Sequence, residues 1–321
     1  MLHPRIAPMI LLVSMLAASR AESQPYAYVV SEAPPTVSII DTRTDKVAST
    51  FETGEKPDAI AASIDGARLY VADRNGTLVE RDLYEDKQTG RITLHGPAKA
   101  LSPSPRGRTL AIVVDGTHDV ALVDTPTLRV TKTIRLGGKA LHAVFSPDGR
   151  TIYATAEGGD SVDVIDVSKG AVIGSIRVGR EPGSVAFAPD GSRAYVAAGD
   201  GIVAIDVRRR AVVARVRSSG TPGDVAVHPD GKRVFVSVPE AGTVQVLDVA
   251  TNRFVASIDA GPGAAAMAFT ADGRKLYAAN AATKEVAVID AATCRRTAAI
   301  PLAGPPSAMV ISDRPTLPRD W

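Results

Sequence analysis

Cysteine is almost absent from the chain. The 321 residues include a single cysteine, Cys294, so no disulfide can form within the chain and packing must stabilise the fold. Covalent attachment of haem is excluded as well, because the C-x-x-C-H motif needs two cysteines. A lone cysteine in a turn is more often inert than functional, and we interpret Cys294 as inert.

Long apolar runs are equally scarce. One run, from Met9 to Ala18, follows Arg5 and precedes Ser19-Arg20-Ala21, a pattern typical of a cleaved signal peptide. It has about half of the roughly 20 residues that cross a bilayer, and no later stretch is uniformly apolar. We therefore predict a signal peptide over residues 1–21, no membrane insertion, and a periplasmic or secreted mature protein. No cysteine near the cleavage site offers a lipoprotein anchor.

The mature chain also lacks a charge excess. The 37 lysines and arginines include Arg5 and Arg20 of the predicted signal peptide, so 35 basic residues face 35 acidic ones. A protein that grips duplex DNA usually has a strong basic excess, because neutralisation of phosphates dominates that affinity. Binding of duplex DNA is therefore not favoured as the main function.

What the sequence does contain is a repeat of about 42 residues, the kind of period that must be sought before any motif. An apolar run ending in aspartate recurs at Asp41, Asp82, Asp124, Asp166, Asp206, Asp248 and Asp290. A turn ending in glycine keeps the same step at Gly66, Gly107, Gly149, Gly191, Gly231 and Gly273. An aromatic column, which we interpret as core between repeats, comprises Tyr28, Tyr70, Tyr153, Tyr195, Phe235 and Tyr277.

Each repeat divides into four short β-patterned segments separated by turn residues. Four strands repeated at this period predict an all-β, seven-bladed β-propeller of four-stranded antiparallel blades over residues 22–321. The chain starts on a second strand, Tyr26 to Val30, and ends on Ser307 to Ser312, which matches a first strand. We therefore predict that the C-terminal strand completes blade one and closes the ring.

The repeats resemble the YVTN family of β-propeller proteins. The resemblance is carried by VAFAPDG at 185–191, AYVAA at 194–198 and VDVID at 162–166, and it extends over essentially the whole mature chain. It implies an exported bacterial propeller, similar to the YncE-like proteins, of unassigned or non-catalytic function. Related propellers include the haem d1 domain of nitrite reductase and lactonase-like enzymes. Blade two departs from the pattern at Glu80 and Arg81 inside its third strand, which we attribute to drift.

The histidines give little sign of catalysis. The mature chain has four, His95, His118, His142 and His228, and no pair has the local spacing of metal ligands. By repeat alignment His142 shares a ring at the channel mouth with Ala59, Ala100, Ser184, Asp224, Ala266 and Ala308. A hydrolase needs more acid–base groups than this ring offers. We predict no catalytic residue, no cofactor and no metal site, although a metal held by separate blades and a lactonase-like or oxidoreductase-associated enzyme stay open as alternatives.

The loops around the channel mouth are the predicted binding surface, since propeller function resides in loops rather than in the fold. The candidate ligand-binding residues are Asp73, Arg74, His118, His142, Glu157, Arg180, Asp224, Glu240 and Asn280. Their mixture of charges suits a protein or a small polar ligand. The predicted function is an exported, monomeric, non-catalytic binding or scaffold module.

A basic edge on blade five is the second candidate surface. Its arginines are Arg208, Arg209, Arg210, Arg215 and Arg217. Long cationic side chains on an outer strand protect it against edge-to-edge pairing, which is the favoured interpretation. Binding of a polyanion or a single-stranded nucleic acid is the alternative, although interleaved stacking aromatics are missing.

Overall fold

The computed structural model describes residues 24–314, which form seven four-stranded antiparallel sheets numbered β1 to β28 along the chain. The predicted signal peptide lies outside the described residues. The innermost strands of the blades are β4 (Pro57–Ala62), β8 (Ala98–Pro103), β12 (Lys139–Phe145), β16 (Pro182–Phe187), β20 (Val225–Val227), β24 (Ala264–Phe269) and β28 (Pro306–Arg314). The second strands are β1 (Gln24–Glu32), β5 (Arg68–Asp73), β9 (Thr109–Val114), β13 (Thr151–Glu157), β17 (Arg193–Ala198), β21 (Arg233–Val238) and β25 (Lys275–Asn280).

The two outer positions of each blade follow the same order. The third strands are β2 (Pro35–Asp41), β6 (Thr77–Asp82), β10 (Asp119–Asp124), β14 (Ser161–Asp166), β18 (Gly201–Asp206), β22 (Thr243–Asp248) and β26 (Glu285–Asp290). The outermost strands are β3 (Lys46–Glu52), β7 (Lys87–Thr93), β11 (Arg129–Arg135), β15 (Ala171–Arg177), β19 (Ala211–Arg217), β23 (Arg253–Asp259) and β27 (Arg295–Pro301). A 3₁₀ turn spans Pro239–Ala241, and no helix within residues 24–314 is long and apolar enough to cross a membrane.

The ring is closed by the C-terminal strand, as the sequence predicted. β28 pairs with β1 from Gln24↔Arg314 to Ser31↔Pro306 and so supplies the inner strand of blade one. β28 also contacts β4 of blade two and β24 of blade seven, and the remaining inner strands contact one another in succession. Seven inner strands therefore surround one central channel.

Burial explains why the four strands of a blade differ in sequence. Second and third strands are buried over nearly their whole length, as in β17 and β22, because neighbouring blades cover both of their faces. Outer strands such as β19 alternate exposed and half-buried residues, since one face points to solvent. The six aromatic residues of the predicted column are all at most 2% exposed, which confirms that they form core between blades.

The repeated aspartates hold the turn between the third and outermost strands. Oδ1 of Asp166 accepts hydrogen bonds from the backbone N–H of Lys169 at 2.9 Å and from the Ser168 hydroxyl at 2.7 Å. Oδ1 of Asp248 accepts equivalent bonds from the N–H and hydroxyl of Thr251. These bonds favour the charged carboxylate and lower the pKa of both aspartates. The aspartates of the repeat are structural.

Blade two accommodates its two charged residues inside the structure. Glu80 is 4% exposed; its Oε2 lies 3.1 Å from Nη1 of Arg68, and its Oε1 accepts the Thr89 hydroxyl at 2.8 Å. The guanidinium of Arg81 lies 4.4 Å from the centre of the Phe51 ring, within the range of a cation–π contact. The departure from the repeat is thus compensated locally, because each charge has partners within blade two or in blade one.

Candidate functional site

The central channel contains a cavity of about 540 Å³ formed by the inner strands. All seven residues of the ring inferred from the repeat line it: Ala59, Ala100, His142, Ser184, Asp224, Ala266 and Ala308. Apolar side chains complete the wall and include Ile60, Leu101, Leu141, Val185, Val225, Met267 and Met309. The cavity therefore combines a polar arc, formed by His142, Ser184 and Asp224, with largely apolar walls. This composition is common to sites for small ligands.

Irregular strand pairing helps to position the ring. A register shift separates Ala140 from His142 in β12, and equivalent shifts precede Ala59, Ala100 and Ala266 in their inner strands. A bulge inserts an extra residue and re-aims the side chains around it. The small residues at most ring positions then leave the channel open, and the larger His142 and Asp224 line the cavity.

Asp224 is the most heavily bonded member of the ring. Its Oδ1 accepts the Ser184 hydroxyl at 2.6 Å and the N–H of Val225 at 2.8 Å, and its Oδ2 accepts the N–H of Met267 at 2.8 Å. These donors belong to blades five, six and seven. One carboxylate thus ties three consecutive inner strands together, and its negative charge is stabilised by three donors.

His142 makes the corresponding contact two blades earlier. Its Nδ1 accepts the N–H of Val185 at 3.4 Å, so the neutral ring carries its proton on Nε2. Enclosure within the channel lowers the pKa of His142, and the Asp224 charge opposes this fall. The lowered pKa keeps the ring neutral near pH 7, and Nε2–H remains a hydrogen-bond donor that has no partner among residues 24–314.

This lowered pKa predicts an acid-dependent loss of stability. Because folded His142 resists protonation while the unfolded histidine takes up a proton below about pH 6.5, stability decreases as the pH falls through that value. The slope from this group approaches about 1.4 kcal/mol per pH unit until the folded pKa is reached. We expect His142→Asn to remove that part of the slope when free energies of unfolding are measured between pH 7.5 and 5. An equal pH dependence in both proteins would contradict the assignment.

The polar arc does not have the geometry of a nucleophile with its base. The Ser184 hydroxyl donates a hydrogen bond to Asp224, and within the described chain no hydrogen bond joins His142 to either residue. An acyl-transfer triad requires contacts from nucleophile to histidine and from histidine to carboxylate. Among residues 24–314, no three His, Cys, Asp or Glu side chains are grouped to hold a metal ion. The arrangement offers hydrogen-bond donors and an apolar wall.

Several loop candidates stabilise the loops themselves. Oδ1 of Asp73 accepts the N–H groups of Asn75 and Thr77, at 2.9 and 2.8 Å. Asn280 is fully buried and donates to the carbonyl of Ala260. These two residues are therefore part of the scaffold.

The other candidates lie nearer to solvent. Arg74 bridges two acids, with Nη2 2.5 Å from Glu32 and Nε 3.3 Å from Asp58. His118 is half-buried in the loop before β10. Glu157 at the end of β13 and Arg180 and Glu240 in loops of the channel-mouth face are exposed and do not line the cavity. All three side chains are accessible to a partner at this face.

The sequence analysis missed two residues with polar side chains that line the cavity. Lys99 and Ser307 occupy the position just before the ring in β8 and β28, and both line the cavity. Lys99 is exposed, whereas the hydroxyl oxygen of Ser307 is buried without a partner among the described residues. The signal was available, because the same repeat alignment that gave the ring also aligns the residues one place earlier.

The blade-five arginines are divided between structural and free groups. Arg215 donates to the carbonyls of Val178 and Arg177, and Nε of Arg217 lies 3.1 Å from Asp200. Nη1 of Arg209 is 3.9 Å from Asp206. Arg208 and Arg210 have no ion pair within residues 24–314. The basic edge is thus partly engaged in its own fold.

Comparison of the whole sequence with protein families gives a match to the YNCE-like beta-propeller family over residues 87–316. The chain belongs to this family. No curated protein matches the sequence of this YNCE-like propeller significantly.

Solved structures show the same fold at low identity. A functionally unknown protein from Desulfotomaculum acetoxidans superposes with a TM-score of 0.79 at 19% identity, over 90% of this chain and 99% of that one. Kuenenia stuttgartiensis hydrazine synthase gives 0.71 at 21% identity, over 78% and 88%. The dihydro-heme d1 dehydrogenase NirN, in complex with DHE, gives 0.70 at 18% identity, over 89% and 74%. Identities this low show that the YNCE-like propeller shares a fold with these proteins.

Proposed function

We propose that this YNCE-like propeller is an exported, non-catalytic binding module that takes a protein or a small polar ligand at its channel-mouth face. The signal-peptide pattern of residues 1–21 supports export. The family match supports the propeller scaffold, on which function depends on loops and channel. The chemistry of the cavity supports binding rather than turnover.

The observation that carries the proposal is the distribution of satisfied and unsatisfied polar groups in the channel. Asp224 and Ser184 are engaged with each other and with backbone N–H groups. His142 presents its Nε2–H, and exposed Lys99 adds an ammonium group at the same cavity. Donors without partners beside an apolar wall suit a ligand that brings hydrogen-bond acceptors.

The enzyme alternative receives no comparable support. His142 and Asp224 do share the cavity, but the Nδ1 of His142 already accepts a backbone N–H and its Nε2 carries the proton. A general base needs a free nitrogen within reach of the proton that it removes. The names of the structural neighbours describe those proteins alone, and at about 20% identity the likeness brings no chemistry to this chain.

The loop face is tested by comparing two triple variants of the mature protein. Glu157→Ala, Arg180→Ala and Glu240→Ala together remove exposed charges of the channel-mouth face. Lys169→Ala, Lys232→Ala and Arg274→Ala together remove exposed charges of the opposite face. Because the residues are exposed, both variants should retain the wild-type melting temperature.

We expect immobilised wild-type protein to retain a specific component of a periplasmic extract, and the opposite-face variant to retain it equally. The channel-mouth variant should lose at least 90% of it, roughly the effect of losing 1.4 kcal/mol of binding free energy. Equal retention by all three proteins, or loss in the opposite-face variant alone, would contradict the proposal.

A further inference from the structure

Aromatic residues of the column lie next to the following blade, at the turn between its third and outermost strands. At the interface between blades seven and one, this contact includes both hydrogen bonds and an ion pair. The Tyr277 hydroxyl donates to the carboxylate of Asp45. Nζ of Lys275 lies 2.7 Å from the same carboxylate and 2.8 Å from the carbonyl of Thr42. A tyrosine hydroxyl, a carboxylate and a cation thus form one partly buried network between blades.

The interface between blades four and five replaces two members of that network. Tyr153 takes the place of Tyr277, but Thr151 stands at the position of Lys275, and Arg210 at that of Asp45. The turn itself is unchanged, since Arg210 has a φ of 52° and Asp45 one of 54°. The carboxylate has therefore been lost, and a guanidinium stands at its position in the turn.

This replacement leaves two groups without partners. Tyr153 is 1% exposed, and its hydroxyl has no hydrogen-bond partner among the described residues. Arg210 has no ion pair within residues 24–314. Burial raises the pKa of Tyr153; the positive charge of Arg210 opposes this rise and the negative charge of Asp206 adds to it. Buried hydroxyl groups are normally hydrogen-bonded, and among the described residues the hydroxyls of Tyr153 and Tyr195 are both exceptions; the one at Tyr153 lies beside a cavity.

A cavity of about 280 Å³ lies at this interface, and Tyr153 and Arg210 are among its lining residues. Its two acids are already engaged, because Asp148 lies 3.8 Å from Nε of Arg150, and Asp190 accepts the N–H and hydroxyl of Ser192. Arg210 is thus the one cation of the lining without an acid. The cavity is on the face opposite the channel mouth, formed by the turns that follow the inner and third strands.

We propose that this inter-blade cavity binds the carboxylate of a small organic acid, which accepts hydrogen bonds from the Tyr153 hydroxyl and the Arg210 guanidinium. The ligand carboxylate takes the place that Asp45 occupies at the interface of blades seven and one. Hydrogen bonds from a guanidinium to a carboxylate are among the strong ones. Because the Tyr153 hydroxyl is shielded from solvent, side chains of the cavity lining must move before the ligand can reach it.

Titration with acetate at constant ionic strength tests this site directly. Binding is followed by NMR of the mature protein with ¹³C-labelled tyrosine, and chloride serves as the reference anion. We expect saturable binding of acetate that shifts the Tyr153 resonance, and roughly tenfold weaker binding in Tyr153→Phe and in Arg210→Ala. A blocked alanine peptide with one central aspartate replaces acetate in a second arm; binding of acetate but not of the peptide identifies the free acid as ligand.

Matched variants separate this site from general anion binding. Tyr195→Phe removes the equivalent hydroxyl one blade further on, and Arg209→Ala removes the neighbouring arginine; both should bind acetate like the wild type. Arg210→Asp restores the carboxylate of the turn, and we expect it to abolish acetate binding and to raise the melting temperature. Acetate binding no different from chloride binding, or unaffected by Tyr153→Phe and Arg210→Ala, would overturn the proposal.

Discussion

Deletion of the chain from Pro306 onward should abolish cooperative folding. The deletion removes β28, so β1 loses its inner partner and blades two and seven lose the strand between them. It also removes Ala308 and Val310 from the core around Tyr28, and Met309 and Ile311 from the core around Tyr277. Full burial of a large apolar side chain contributes about 1.5–3 kcal/mol. Met309, Val310 and Ile311 are partly buried, and their removal also uncovers the cores around Tyr28 and Tyr277, so the total loss approaches the roughly 5–15 kcal/mol by which domains are stable.

A circular permutant provides the control for this deletion. Gln24 and Arg314 are paired in register, so a short turn can join the end of β28 to the start of β1. A chain that begins at Pro306, continues through this turn into residue 24 and ends at residue 305 keeps every strand. We expect the permutant to melt cooperatively and the deletion variant to show no cooperative transition by circular dichroism. A deletion variant that melts like the wild type would refute ring closure by β28.

Asp224→Ala should destabilise the propeller strongly, although the residue lies at the channel. The substitution leaves the N–H groups of Val225 and Met267 and the hydroxyl of Ser184 without their acceptor. Buried donors that lose a charged acceptor cost about 1–3 kcal/mol each, and water in the channel offsets part of this cost. We expect the free energy of unfolding to fall by about 3 kcal/mol, and the melting temperature by roughly 6 °C.

Ser184→Ala is the matched comparison for Asp224→Ala. It removes one of the three hydrogen bonds and leaves no buried N–H unpaired, so we expect a loss of about 1 kcal/mol. Chemical denaturation of both variants measures the difference. If Asp224→Ala proved as stable as the wild type, the carboxylate would not be a structural tie and would have to be retained for a reaction or a ligand.

The fold could be predicted from the sequence because a propeller repeats the same local structure in every blade. Each blade carries its own turn signals, its own aspartate and its own aromatic residue, so seven weak patterns in phase predict the architecture. Ring closure was predictable from the phase of the two ends, since the first strand matches a second strand of the repeat and the last matches a first strand. Glu80 was harder to place, because its partners Arg68 and Thr89 are on other strands of its blade.

The site was predictable in position and much less in chemistry. Repeat alignment placed His142, Ser184 and Asp224 in one ring, because equivalent positions of a propeller face the same channel. It could not show that Asp224 accepts the N–H of Met267 from the next blade, since that contact depends on how the blades are inclined to one another. Asp73 and Asn280, two of the predicted ligand-binding residues, are buried, and repeat alignment does not report burial.

The role proposed for Arg210 could be inferred only once the structure showed which residues are its neighbours. In the sequence it was one of five arginines on a basic edge, and charge alone suggested a polyanion. The structure aligns it with Asp45 and places it at a cavity beside Tyr153. The exchange of a carboxylate for a guanidinium at one repeat position then has a local consequence, an unpaired hydroxyl.

The most direct measurement of the central claim is NMR of the imidazole groups in histidine-labelled mature protein during titration with fractions of a periplasmic extract. His142 reports on the channel, and His228, whose Nε2 lies 2.9 Å from the carbonyl of Gly273 in a turn of the opposite face, is the internal control. Binding at the channel mouth predicts a shift of the His142 resonances with those of His228 unchanged. A fraction that binds and shifts His228 but not His142, or the absence of binding in every fraction, would contradict it.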